Sequence, residues 1–417
     1  MKALRYFYLL MMPFIILAAH AATPQDTIVD NYITINGIVK DKENKKAIPY
    51  ATISLSGSSI STVSNADGEF VFKIKQPVDN YKIEISHIGY RNAYISPTQE
   101  AVMHIVWLTP LENRLDEVVV HGHEPRSLVE EAIMKIKNNY STQPHLLTGF
   151  YRESARKRKR YINIAEAVIH MDKSSYTNNA VADRVQILKG RQLVSPKKSD
   201  TLSVKLLGGP TTATYLDIVK NPDLLISPEI LPFYDFHMEE ATTINERPHY
   251  VVSFLPNREL PFALYYGKLY IDKERLSFTS AEFYLDLSNR TKAIQTILHK
   301  KPKGLRFKPI EVAYRVNYAE YEGKIHLSYV SFRINFTCDW RRKLFSTNYT
   351  ILSEMVVTDI QPSTQRILSK DAFSKTKVLS DNVAPFFDKD FWGSYNIIKP
   401  DESLETAVDK LKKKIKQ

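Results

Sequence analysis

The sequence predicts a mainly β protein: a small N-terminal β-sandwich, then a larger antiparallel α+β domain that ends in a helix. Three observations lead there. Short runs of alternating apolar and polar residues follow one another from Tyr32 to Leu108, separated by turns rich in Asn, Asp and Gly. Longer alternating runs fill most of residues 146–362. Only 13 Gly stand against 24 Tyr and 19 Phe, a balance that suits aromatic strands better than glycine-rich loops.

At 417 residues the chain has material for more than one core. Its net charge of +11 favours anionic partners without naming one. Lys2 and Arg5, the apolar run Phe7–Ala18 and Ala19-His20-Ala21 form the pattern of a secretory signal peptide over residues 1–21, cleaved after Ala21. The run is short for a membrane span, and no later stretch reaches the roughly 18 apolar residues a transmembrane helix needs. The mature chain is therefore expected to be exported, without a transmembrane segment, in the periplasm or on the periplasmic face of the outer membrane. Cys338 is the single cysteine, so it has no intramolecular disulfide partner; it reads as a buried structural thiol.

In order, residues 22–31 are a polar leader and strands begin at Tyr32. Ala51, Ile53 and Leu55 share one face of the next strand, with Pro49 tolerated near its start. Ser64-Asn65-Ala66-Asp67-Gly68-Glu69-Phe70 is a hairpin turn leading into the alternating Phe70, Phe72 and Ile74. Tyr81–Ser86, Tyr90–Ser96 and Val102–Leu108 complete about seven strands, the number of a β-sandwich.

Four stretches in order, Gly37-Ile38-Val39, Ile48-Pro49-Tyr50-Ala51-Thr52-Ile53, Ser64–Phe70 and His87-Ile88-Gly89-Tyr90, make residues 32–110 resemble the carboxypeptidase regulatory-like, prealbumin-type sandwich. The resemblance implies a non-catalytic accessory module, one that also precedes many TonB-dependent outer-membrane transporters. No peptidase domain follows here, and the remaining chain is too short for a transporter barrel. Residues 111–145 form a junction. Leu115–Gly122 looks like the segment that follows this sandwich in those transporters, which makes Asp116, Glu117, Val118, Val119 and Val120 a candidate partner-binding strand, adding to the edge of another sheet. Pairing within this protein is the plainer reading. Ser127-Leu128-Val129-Glu130 then reads as a capping box opening a helix whose apolar stripe is Leu128, Val129, Ala132, Ile133 and Ile136.

Residues 146–400 are expected to form the β-rich second domain, with Thr212–Pro232 as loop and short helical turns. This region resembles the companion domain, of undefined function, in regulatory-sandwich envelope proteins. Gly267-Lys268-Leu269-Tyr270-Ile271-Asp272 is also similar to a strand of lipoprotein-carrier sheets, which implies an antiparallel sheet curled around an acyl chain. Residues 401–417 read as a basic amphipathic helix, with Leu404, Val408, Leu411 and Ile415 as its stripe.

Catalytic motifs are scarce. There is no Gly-x-Ser-x-Gly elbow, His-Glu-x-x-His helix, P-loop or dinucleotide fingerprint, and nothing calls for a cofactor. His121, His123 and Glu124 lack a third ligand in sequence and read as exposed loop. Asp235, Glu239 and Glu240 are acidic pairs of a kind common on surfaces. Arg156, Lys157, Arg158, Lys159 and Arg160 form a basic run with Tyr161 beside it, and Lys300, Lys301, Lys303, Arg306 and Lys308 a second. In an exported protein these are hairpin tips that could touch anionic lipid or glycan rather than nucleic acid. The expected function is non-enzymatic binding or assembly with an envelope protein or outer-membrane component. Two alternatives stay open: a periplasmic carrier of an apolar ligand, and a hydrolase with a convergent site.

Overall fold

The structure is a computed structural model that describes residues 32–75, 82–96, 102–111, 124–197, 200, 206–298, 303–340, 346–363, 365–385, 391–401, 404–406, 408, 409 and 413. The signal peptide and cleavage after Ala21, the strand Asp116–Val120, His121 and His123, and Leu411 and Ile415 lie outside the described residues. The chain is mainly β, as its periodicity predicts.

The seven short strands are present: β1 Tyr32–Asp41, β2 Thr52–Leu55, β3 Ser61–Val63, β4 Glu69–Lys75, β5 Ile83–Ser86, β6 Ala93–Ile95 and β7 Met103–Leu108. They make two sheets, β4-β1-β7 and β3-β2-β5-β6, with β7 parallel to β1. Ile35, Val39, Ile53, Phe70, Phe72 and Ile85 interleave between them as a separate core. Gly68 takes the left-handed φ of +74° at the Asn65–Glu69 turn, where an added Cβ would stand 2.7 Å from the Val39 carbonyl oxygen.

The second domain is one 11-stranded sheet, in the order β11-β12-β13-β14-β15-β16-β17-β8-β9-β10-β18. Its strands are β8 His145–Lys157, β9 Arg160–Lys173, β10 Arg184–Val194, β11 Tyr234–Ile244, β12 Arg247–Pro256, β13 Tyr265–Asp272, β14 Phe278–Leu285, β15 Leu305–Tyr321, β16 Lys324–Trp340, β17 Thr347–Pro362 and β18 Ala384–Pro385. Neighbours pair antiparallel except β10 with β18. Side chains alternate as a strand requires: Val330, Ile334, Phe336 and Cys338 are buried on one face of β16, and Ser331, Arg333 and Asn335 point the other way. Cys338 is buried, as expected.

Both faces are covered. On one pack helix α1 Pro125–Met134, through Leu128, Val129 and Ala132, together with α3 Gly209–Thr214 and the following loop, through Ile218, Leu225 and Ile226. A four-residue turn of helix, α2 Ile136–Asn139, follows α1, and α4 Arg290–Ile297 closes the far end of the same face through Ala293. That face, which the carrier reading leaves for an acyl chain, is largely filled by the protein's own side chains, with a cavity left beside Ala155, Ile162 and Ile351. The other face receives the sandwich and a C-terminal strap: Val63, with Tyr50 and Val71 at its margin, meets Phe150, Tyr329, Val356, Trp392 and Ile398.

Two sequence expectations are corrected. Helix α1 does not begin with a capping box at Ser127. It starts at Pro125, and Glu124 caps it by accepting the Ser127 N–H at 2.9 Å and the Ser127 hydroxyl at 3.0 Å. Proline at the first helical position, preceded by an acidic acceptor, competes successfully with the later Ser. In the second basic run, Arg306 and Lys308 sit on β15 rather than in a turn, the turn lying at Lys303 and Gly304. At the C-terminus Leu404 packs on Tyr161, Ile164 and Leu193 with Val408 beside it, and Asp401 accepts the Leu404 N–H as its cap.

Candidate functional site: a polar cleft between the two domains

Hydrogen bonds fasten the sandwich to the large sheet at two places, beside the apolar contact of Val63 and Tyr50. On one side the Ser59 and Ser61 hydroxyls donate to Asp359 and to the Val357 carbonyl of β17. On the other, the Gly89 N–H donates to the Thr243 carbonyl of β11 at 2.8 Å. Further contacts tie it to the strap, with Thr62 donating to the Ile397 carbonyl and Asn65 to that of Pro400. A cleft of about 320 Å³ lies between the domains, with the Thr52–Ser61 hairpin, Glu84 and Ser86 on the sandwich side and the ends of β12, β13 and β15 opposite.

The floor is set by strand pairing. His249 on β12 lies opposite Asp272 at the end of β13, and the Asp272 N–H donates to the Ser277 carbonyl after the turn. Asp272 therefore holds His249 and Ser277 on its two sides. The Asp272 carboxylate accepts the N–H groups of Glu274 and Arg275, both at 2.9 Å, so the loop that carries Ser277 is fixed. His249 Nδ1 lies 2.8 Å from the Arg247 carbonyl. A carbonyl only accepts, so Nδ1 carries the proton and Nε2 is a lone-pair acceptor. Burial, partly offset by the Arg247 carbonyl and by Asp272, holds the imidazole below the usual histidine range and keeps it neutral near pH 7.

Nε2 of His249 and the hydroxyls of Ser277 and Ser56 are buried without a hydrogen-bond partner among the described residues, and all three residues line the cleft. Such groups cost about 1–3 kcal/mol each when left unmade. They come from both domains and lie within the walls of the cleft, closed to solvent. Arg247 lines it too, and it is bonded at 2.8 Å to Glu320, which also pairs with Arg275 at 3.0 Å.

This arrangement is not a nucleophilic relay. His249 Nδ1 bonds a backbone carbonyl, the Asp272 carboxylate caps a turn, and Ser277 makes no bond to His249. A second cavity, of about 180 Å³, lies by Glu153, Asn163, Ile351 and Val378. Burial raises Glu153 to about 7. Lys173 is wholly buried and bridges Asp183 and Asp217, each at 2.6 Å. That cluster, with the Tyr318 hydroxyl donating to Asp217 at 2.8 Å, lies within the filled face.

The residues singled out from sequence lie elsewhere. Arg156 and Lys157 end β8, Arg158 and Lys159 make the turn and Arg160 starts β9: the Arg156 guanidinium stands 5.0 Å from the Tyr161 ring centroid, and Lys157 and Arg160 both pair with Asp200. Asp235 and Glu239 lie along exposed β11 and engage separate partners, Asn257 for the first and Ser253 with Lys268 for the second. Glu124 caps α1. Among the described residues no group of three or more His, Cys, Asp or Glu could hold a metal ion. His249, Ser277 and Ser56 carry no motif; only the cross-strand pairing and the docking of the sandwich bring them to one cleft.

Residues 35–120 match the family model of the CarboxypepD_reg-like domain, which extends past the last sandwich strand through Val120. No curated protein matches the chain. Among solved structures, a DUF1329 family protein from Desulfovibrio piger aligns at 8% identity over 59% of this chain and 96% of its own, with a TM-score of 0.28. A domain described as an outer membrane lipoprotein-sorting protein, from Vibrio parahaemolyticus, aligns at 11% identity over 58% of this chain and 96% of its own, with a TM-score of 0.26. A protein of unknown function from Bacteroides fragilis, described as membrane-associated, aligns at 10% identity over 79% and 98%, with a TM-score of 0.16. At TM-scores this low the likenesses carry no argument about function. No helix among the described residues is long and apolar enough to cross a membrane.

Proposed function

We propose that this chain is a non-enzymatic binding protein of the cell envelope, in which the CarboxypepD_reg-like sandwich serves as an accessory module and walls one side of a ligand cleft. The observation that carries the reading is the cleft itself, walled by both domains, with the sandwich fastened on either side of it. A binding site at a domain junction is a common placement, and 320 Å³ falls at the small end of ligand pockets. Export to the periplasm is supported by the charged, apolar and Ala-x-Ala order of residues 2–21. An envelope protein or outer-membrane component is the partner this reading assigns. The separate commitments of His249, to a backbone carbonyl, and of the Asp272 carboxylate, to a turn, support binding without turnover.

The test is thermal-shift screening of the purified full chain against a library of small polar compounds, alongside Ser56→Trp, which fills the cleft from its sandwich wall. A melting-temperature rise that the variant abolishes is expected, with the compound recovered unchanged. Chemical conversion of the bound compound, or shifts identical in the variant, would overturn the reading.

A further inference from the structure

We propose that the outer face of strand β7 is a membrane-docking surface, which seats the sandwich on a bilayer containing anionic lipid; the inference goes beyond the cleft reading and does not depend on it.

β7 is apolar on both faces. Val106 and Leu108 point into the sandwich core, as the inner face of a strand in that sheet requires. The core asks for nothing apolar at the alternate positions, yet these are Met103, Ile105 and Trp107, with Val102 just ahead, and they are 47%, 54%, 41% and 50% exposed. Single exposed apolar residues are ordinary, but four within six positions of one edge strand make a patch. The strap covers the opposite half of the same sheet. Val71 of β4 packs against the Trp392 cluster, Glu69 pairs with Lys399 at 2.8 Å, and the Asn396 side chain bonds both the N–H and the carbonyl of Lys73. The β7 half is left in solvent.

The row along β7 changes from aliphatic to aromatic to cationic. Pairing with β1 sets Met103 beside Asn36, Ile105 beside Ile38 and Trp107 beside Lys40. Lys40 Nζ stands 6.0 Å, and Lys45 Nζ 4.9 Å, from the Trp107 ring centroid. Lys42, Lys45 and Lys46 are exposed in the turn after β1. Asp41 is buried there, accepting the N–H groups of Glu43 and Asn44 and the Tyr90 hydroxyl, so Glu43 is the one exposed acid of the turn. This order is that of a lipid–water boundary. Aliphatic side chains sink below the headgroups, the indole lies among them, and ammonium groups meet the phosphates. A second copy suits the face less well, because a two-fold contact would bring the same lysines with only Glu43 to answer them.

The experiment is flotation of the processed chain, residues 22–417, with phosphatidylcholine vesicles containing about one-third phosphatidylglycerol. Binding is expected, and it should be at least about tenfold weaker on phosphatidylcholine alone. Ile105→Ser with Trp107→Ser, at exposed positions, should weaken it at least about tenfold at an unchanged melting temperature. Lys42→Glu, Lys45→Glu and Lys46→Glu together should do the same. Ile310→Ser, at an exposed site on the large sheet, should leave binding as it is. The proposal is overturned if the chain does not float, if either set of substitutions leaves binding unaltered, or if Ile310→Ser weakens it equally. Sedimentation velocity tests the other occupant: a wild-type dimer that Ile105→Ser with Trp107→Ser splits into monomers, in a chain that does not float, would give the face to a second copy instead.

Discussion

Tyr50 of the sandwich lays its ring against Tyr329 of the large sheet, with centroids 6.1 Å apart and planes 34° from parallel. Tyr50 reaches that position with a φ of +59°, a left-handed conformation that a β-carbon disfavours. Tyr329 is buried on β16, and its hydroxyl bonds Glu354. A strained residue is thus kept where the two domains meet.

This contact separates side chain from backbone. Tyr50→Ala should destabilise the protein by about 1–3 kcal/mol, from lost packing at a half-buried site. Tyr50→Gly loses the same ring but relieves the left-handed strain, so it should be more stable than the alanine variant by up to about 1 kcal/mol. Urea denaturation of the two variants checks the order. An alanine variant at least as stable as the glycine variant would show that the +59° conformation is not strained.

A buried charge triad lies nearby. Arg152 Nε bonds Glu166 Oε1 at 2.7 Å, and Arg191 pairs with the other oxygen, Oε2. Burial pushes Glu166 up, yet Arg152 and Arg191 pull it further down, so its carboxyl titrates below the usual range. A lowered carboxyl stabilises the fold above its unfolded value, and that stability is lost as pH falls through the folded one. Glu166→Gln strands Arg152 and should cost about 3–5 kcal/mol at neutral pH. It should also flatten the acid limb of the stability curve, as read by denaturation at pH 3 to 6. An unchanged acid limb would remove Glu166 from this role.

Where the fold was readable in sequence, one period ran uninterrupted. β16 alternates cleanly because one of its faces is core, and the sandwich announces itself through the Asn65–Glu69 turn. β11 carries no such period: it is an edge strand with Glu239 and Glu240 exposed, so no apolar face marks it. β8 misleads in the opposite way. Arg152, Glu153 and Ser154 look like surface residues but are buried, because the strap brings the Ile398 carbonyl over Arg152 while Glu153 and Ser380 line one cavity on the other side. The cleft had no local signal, since Ser56 and His249 lie in different domains and meet only through docking.

Two histidines resist protonation in the folded state. Burial, with Arg315 near, pushes His87 down to about 4, and burial with His145 and Lys173 near does the same to His326. Below about pH 6.5 the unfolded chain takes up protons that these rings refuse, so stability falls as pH drops from 6.5 towards 4. For His326, buried on β16, the loss is on the order of 3 kcal/mol. Proton NMR should find the two ring signals unmoved between pH 7 and 5. Movement with a midpoint near 6.5 would contradict the burial argument.

Glu153 works against them. Burial is the dominant cause of its rise to about 7, although Tyr151 donates to Oε2 at 3.2 Å and draws it partly back. Unfolded, a glutamate ionises near 4.3. Between about 4.3 and 7 the unfolded state has released a proton that the folded state retains, so ionisation favours unfolding and stability falls as pH rises through this window. The size is on the order of 3 kcal/mol, with no further change above the folded value. The histidines slope the other way over much of the same range, and the wild-type curve between pH 5 and 6.5 should be flatter than either contribution alone. Glu153→Gln removes the falling component. Its melting temperature should climb steadily from pH 5 to 6.5 and exceed that of the wild type at pH 8, where the wild-type carboxylate is charged at a buried site. A variant that is less stable than the wild type at pH 8 would mean that the Glu153 carboxylate is stabilised by a partner that offsets its burial.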